Sequence, residues 1–170
     1  MRKYAMLGLA ALLLQITLGG WTSANYAAVA CPDLPTCQSS WWPKMDFHDA
    51  FVLWRGLDID YEGGVLATAA RIAIHVTHRI GAVVAGSILI VVGGMTAAAA
   101  RSSRLRLAGS LLAFAVLLQI SIGAAMVHFG FPLPLATLHN AGAALLVVLI
   151  VTLLRLLWPA PRDLPGGASA

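Results

Sequence analysis

His78-Arg79-Ile80-Gly81-Ala82 and His139-Asn140-Ala141-Gly142-Ala143 are two versions of one segment, each early in a long apolar run. Each places Gly three residues and Ala four residues after a histidine. An imidazole inside an apolar span is costly and rarely idle. Two of them at matching places are candidates for a facing pair of metal ligands, and they point to an internal repeat.

The repeat extends to the preceding apolar runs. Leu13-Leu14-Gln15-Ile16-Thr17-Leu18-Gly19 matches Leu117-Leu118-Gln119-Ile120-Ser121-Ile122-Gly123. A helix pair is thus used twice in one polarity, which implies pseudo-twofold symmetry about an axis along the membrane normal. Four runs reach the roughly 20 residues a bilayer crossing requires. They cover 4–24, 70–95, 105–128 and 135–158. The expected fold is all-α: an integral membrane four-helix bundle with an internal pseudo-twofold repeat of a helix pair. Residues 1–158 are expected to form the bundle, with an outer loop over 25–69 and a disordered inner-side tail over 159–170.

Composition agrees with a membrane protein. Of 170 residues, 59% are hydrophobic and 11% charged, beyond what a soluble domain of this size uses. The first run is read as a retained span, since Leu18-Gly19-Gly20-Trp21-Thr22 is no clean small-x-small cleavage site. With four spans, both termini and the 96–104 connection share one side. That side carries Arg2, Lys3, Arg101, Arg104, Arg106, Arg155 and Arg162 against Asp163. The 25–69 loop carries Asp33, Asp46, Asp49, Asp58, Asp60 and Glu62 against Lys44 and Arg55. The basic side is cytoplasmic, so the expectation is a multi-pass protein of a bacterial inner membrane with both termini cytoplasmic. The net charge of +4 is a topology signal, and no nucleic-acid partner is read from it.

The long loop holds both cysteines, in Cys31-Pro32-Asp33-Leu34-Pro35-Thr36-Cys37. An outer face permits disulfides. A structural disulfide and an exchangeable pair both suit this spacing better than a metal site, which lacks a third and fourth ligand nearby. Trp41, Trp42, Phe47, Phe51 and Trp54 suit the headgroup zone, and 47–57 reads either as a short amphipathic helix or as a capped loop whose aromatics pack over the bundle end.

Imidazole pairs saturate haem iron and favour electron transfer over oxygen binding. Symmetry brings His78 and His139 to face each other, toward the outer leaflet. Gly81, Ala82 and Ala85 follow His78 on one face, and Gly142 and Ala143 follow His139; they read as flat walls for a macrocycle. The competing readings are an interhelical histidine hydrogen bond and plain small-residue packing. His75, one turn before His78, is a candidate to bond a haem propionate or water. Arg79 either snorkels outward or meets a propionate with its planar fork. Gln15 and Gln119 read as symmetry-related polar packing groups, and His128 as an interface residue.

Taken with Trp41-Trp42-Pro43, Tyr61-Glu62-Gly63-Gly64 and Ile74-His75-Val76-Thr77-His78-Arg79, these motifs make the chain resemble the carboxy-terminal four-helix half of the haem A synthase family, up to about Trp158. Members of that family oxidise the methyl group of haem O to the formyl group of haem A. The resemblance implies a haem b cofactor held by His78 and His139, with Cys31 and Cys37 as the loop disulfide. The substrate half of the family carries a glutamate three residues before its first helix histidine; here that position is His75. The resemblance therefore implies the cofactor half. Haem O would sit in a missing or partner four-helix half, and short four-span members of the family are expected to self-associate. A clipped or wrongly started gene is the expected origin, and activity is not expected of this half alone. The alternatives are a standalone b-type electron-transfer membrane protein and a non-catalytic haem-binding assembly partner.

Overall fold

The computed structural model describes residues 1–57 and 60–158. The tail expected to be disordered, with Arg162 and Asp163, lies outside the described residues, as does Asp58. Four long helices dominate: α1 Arg2–Ala24, α3 Thr68–Ala99, α4 Ser103–His128 and α5 Leu133–Leu156. All four are long and apolar enough to cross a membrane, and none contains Asp or Glu. A lipid-facing chain must satisfy its backbone within each span, and helices do so.

Contacts join α1 to α3, α3 to α4, α4 to α5 and α5 back to α1. The bundle is therefore a closed ring in which α3 and α5 stand diagonally, as do α1 and α4. A twofold relation would exchange the members of each diagonal pair, so this ring is compatible with the sequence repeat. The chain is an all-α membrane bundle.

Packing divides by depth. Toward the end holding Met1 and Leu157, the four helices meet in Ala5, Leu12, Leu89, Val92, Ala108, Leu112, Val116, Leu146, Ile150 and Leu153. Gly93 and Gly109 let α3 and α4 touch backbone to backbone there. A Cβ on Gly93 would lie 2.7 Å from the Gly109 carbonyl oxygen. Small residues are the usual means of close helix approach in lipid, where apolar side chains gain nothing from leaving solvent. At the other end, Gly130 and Phe131 adopt positive φ, and Pro132 and Pro134 start α5. Proline suits a helix start because the first turn's N–H groups lack intrahelical acceptors.

The α3 helix has 32 residues, about 48 Å at 1.5 Å per residue, against a hydrocarbon core of about 30 Å. Its first turns pack on the long loop. Ala70, Ala73 and Ile74 are buried with Ala27, Ala50 and Leu66, and Ile72 is buried with Ala30, Cys31 and Cys37. The loop has a 3-10 turn, Ala28–Ala30, and a four-residue helix, α2 Phe47–Ala50. Of the two readings of 47–57, the helical one holds for a single turn and the rest follows the capped-loop alternative. Asp46 caps that turn, accepting from the Asp49 amide at 3.0 Å. The Ala50 carbonyl then takes the Trp21 indole N–H at 2.9 Å, and Arg55 turns back onto the Asp49 carbonyl and carboxylate. These tertiary bonds outweigh the local apolar periodicity.

Candidate functional site

The site is built from one interlock used twice. Gln15 and Gly19 lie one turn apart on α1, and His78 and Gly81 lie nearly one turn apart on α3. The Gln15 amide nitrogen donates to the His78 carbonyl at 3.0 Å and lies 3.0 Å from His78 Nδ1. Gly81 leaves room for that amide, because a Cβ there would collide with Gln15 Oε1. The His78 ring in turn rests on Gly19, whose added Cβ would meet Cε1 at 3.2 Å.

The second interlock joins α4 to α5. The Gln119 amide donates to the His139 carbonyl at 2.9 Å. A Cβ on Gly142 would collide with Gln119 Oε1, and one on Gly123 would meet His139 Cε1 at 3.0 Å. The pairs differ in one respect. Gln15 touches its histidine ring, whereas His139 Nδ1 is buried with no hydrogen-bond partner. Gln15 Oε1 and Gln119 Oε1 are likewise buried without partners.

This geometry reassigns the glycines. Gly81 and Gly142 make room for glutamine amides. The glycines against the imidazoles are Gly19 and Gly123, which the sequence reading left without a role. The signal was present, since each follows its glutamine by four residues in the repeated segment.

The two histidines stand on diagonal helices. Among the described residues, no three His, Cys, Asp or Glu side chains gather as a metal cage. Two imidazoles are nevertheless what a haem iron takes from its protein in bis-histidine ligation. Gln15 occupies the His78 Nδ1, and neither ring uses Nε2 in a hydrogen bond among the described residues. Two half-buried imidazoles with Nε2 uncommitted, each seated on a glycine, fit such a group.

His75 and Arg79 face the loop. His75 is 4% exposed, with Nδ1 3.1 Å from the Ala27 carbonyl oxygen and its ring edge-on to Phe131. Arg79 Nη1 donates to the Thr36 carbonyl at 2.8 Å, and Nη2 donates to the carbonyls of Cys31 and Asp33 at 3.0 and 2.9 Å. Its Nε is buried without a partner. Cys31 and Cys37 form a disulfide, so Arg79 grips the ring of chain that this bond closes. The same loop holds the Asp33 carboxyl below its usual range, first through the Thr36 hydroxyl and then through the Ser39 and Gln38 amides. A separate open cavity of about 430 Å³ lies between the end of α1 and residues 52–57, lined by Trp21, Asn25, Trp54 and Tyr61 among others. It includes neither site histidine.

Comparison with known proteins places these elements in a family. The COX15-CtaA family, described as cytochrome oxidase assembly protein, matches residues 1–151. A heme A synthase of Shewanella oneidensis is 41% identical over 154 residues, which are 91% of this chain and 46% of that protein. The chain thus spans about half the length of that relative. No solved structure matches. With nearly its whole length matched, the chain belongs to the COX15-CtaA family of cytochrome oxidase assembly proteins.

Proposed function

We propose that this chain is the haem b-holding half of a haem A synthase, in which His78 and His139 would hold the haem iron through their uncommitted ring nitrogens. The observation that carries this reading is the repeated interlock. It sets one imidazole on each of two diagonal helices and leaves Nε2 of each uncommitted. When bound, the haem supplies one-electron redox capacity beside the site that oxidises the methyl group of haem O to a formyl group. The residues of this chain orient the ligands and exclude water. Arg79 and His75 act one step back, fastening the loop over this end of the bundle through backbone carbonyls. No spanning helix here carries a carboxylate, so a group acting on the methyl belongs to a partner four-helix half. The family membership and the heme A synthase relative support the reaction class.

The test is spectroscopic. The chain is purified from membranes in detergent and its haem content measured as the pyridine haemochrome. Stoichiometric haem b is expected, and His78→Ala and His139→Ala should each lose at least most of it. Full haem content in both variants would sink the assignment. Supplying haem O should then yield haem A, read by mass, only when a partner half is present. Product from the 170-residue chain alone would overturn the half-site reading.

A further inference from the structure

We infer that Gln15 is a positioning residue that sets the ring orientation and tautomer of His78, while Gln119, its counterpart in the repeat, fastens His139 through the backbone alone. The inference rests on the haem-ligand reading for its purpose, while its geometry stands on the interlock. A neutral imidazole carries one proton, on Nδ1 or Nε2, and the partner of one nitrogen decides the state of the other. In the present structure the Gln15 amide N–H points to His78 Nδ1 at 3.0 Å. Nδ1 is then the acceptor, and the ring proton is on Nε2.

Ligation through Nε2 requires the opposite tautomer, with the proton on Nδ1. A side-chain amide answers both states, because it holds a donor and an acceptor on one planar group. A half-turn of the Gln15 amide presents Oε1 to Nδ1–H and gives up the bond that the amide nitrogen now donates to the His78 carbonyl. Oε1 is the atom now buried without a partner, and a buried acceptor left alone is destabilising. Gly81 provides the room, since the amide lies where its side chain would be. The Gln119 Oε1 and His139 Nδ1 are a second acceptor and ring nitrogen, both buried and both without partners. Gln119 fastens only the backbone of its histidine, so its hold on the ring is weaker.

Metal-bound histidines commonly donate their second N–H to such an acceptor, and losing it typically costs 10–100-fold in affinity. Gln15→Met keeps the shape and removes both polar functions. Gln15→Glu keeps an acceptor for Nδ1–H. In the haem-free chain, nitrogen-15 NMR of labelled histidine should show His78 Nδ1 as an unprotonated acceptor. Its shift should move in Gln15→Met while His139 stays unchanged. In the haem-loaded chain, Gln15→Met should release haem at least tenfold faster and alter the ferric EPR g values. Gln15→Glu should restore both, and Gln119→Met should have the smaller effect. Retention of the disulfide and of the wild-type elution volume shows that each variant is folded.

The outcomes separate the two ideas. If wild type holds haem and Gln15→Met leaves the His78 shifts, haem release and g values unchanged, the positioning role is wrong and the ligand reading stands. If wild type holds no haem, the ligand reading fails. The haem-free NMR comparison then decides the positioning role alone, for or against.

Discussion

At the residue scale, two kinds of glycine behave differently because of what their missing side chains would meet. Gly81 faces the far end of a flexible side chain, the Gln15 amide. Gly81→Ala should therefore displace Gln15 from His78 at a cost of about 1–2 kcal/mol, within the ordinary range for overpacking. Thermal unfolding in detergent checks the size, and the His78 nitrogen shifts check the displacement. A Cβ on Gly109 would lie 2.5 Å from the Gly93 carbonyl oxygen, and backbone does not swing aside. Gly109→Ala should force α3 and α4 apart at a cost of about 3 kcal/mol, the upper end of that range. A smaller loss than for Gly81→Ala would contradict this contrast. Arg79 offers a third case. Its fork satisfies three loop carbonyls at once, which a lysine ammonium cannot match in geometry. Both Arg79→Met and Arg79→Lys should speed proteolysis of the 31–37 segment, and rescue by lysine would refute the fork argument.

At the scale of elements, the long loop behaves as a cap held by α3. The part of α3 that exceeds a bilayer crossing is buried against loop residues. Asp33 is the titratable clasp within that cap, receiving the Thr36 hydroxyl and the Gln38 and Ser39 amides. Its folded pKa is depressed, so the unfolded chain binds the proton more readily. The contribution is present above the ordinary aspartate pKa and is lost as pH falls through the depressed value. Protection of the Gln38 and Ser39 amides, measured against intrinsic exchange at each pH, should fall in that acidic window in wild type. In Asp33→Asn it should be low already at neutral pH and flat across the window. Equal acid sensitivity in wild type and variant would remove Asp33 from this role. The α2 segment teaches the complementary lesson. Phe47, Phe51 and Trp54 have helical spacing, yet the helix ends at Ala50 because Ala50 and Asp49 carbonyls are claimed by Trp21 and Arg55.

At the scale of the molecule, four spans put both described ends of the bundle on one side of the membrane. The charge pattern predicts that side to be cytoplasmic. Single cysteines in a Cys31→Ser/Cys37→Ser background test it. Ser102→Cys should react only with reagent on the cytoplasmic side and Ser39→Cys only from the opposite side; the reverse would invert the topology. The sequence by itself determined the spans, their number and the pairing of halves. Each follows from apolar length and from a repeated segment, and lipid leaves a long apolar run little choice but to be a helix. The sequence also marked His78, His139, Gln15 and Gln119 as paired positions. It did not say what each one touches. The seating of Gln15 on Gly81, the His78 ring on Gly19 and Arg79 on the loop carbonyls depends on which helices neighbour one another and how each is rotated. Those are properties of side chains far apart in the chain, and only the tertiary packing brings them within bonding distance.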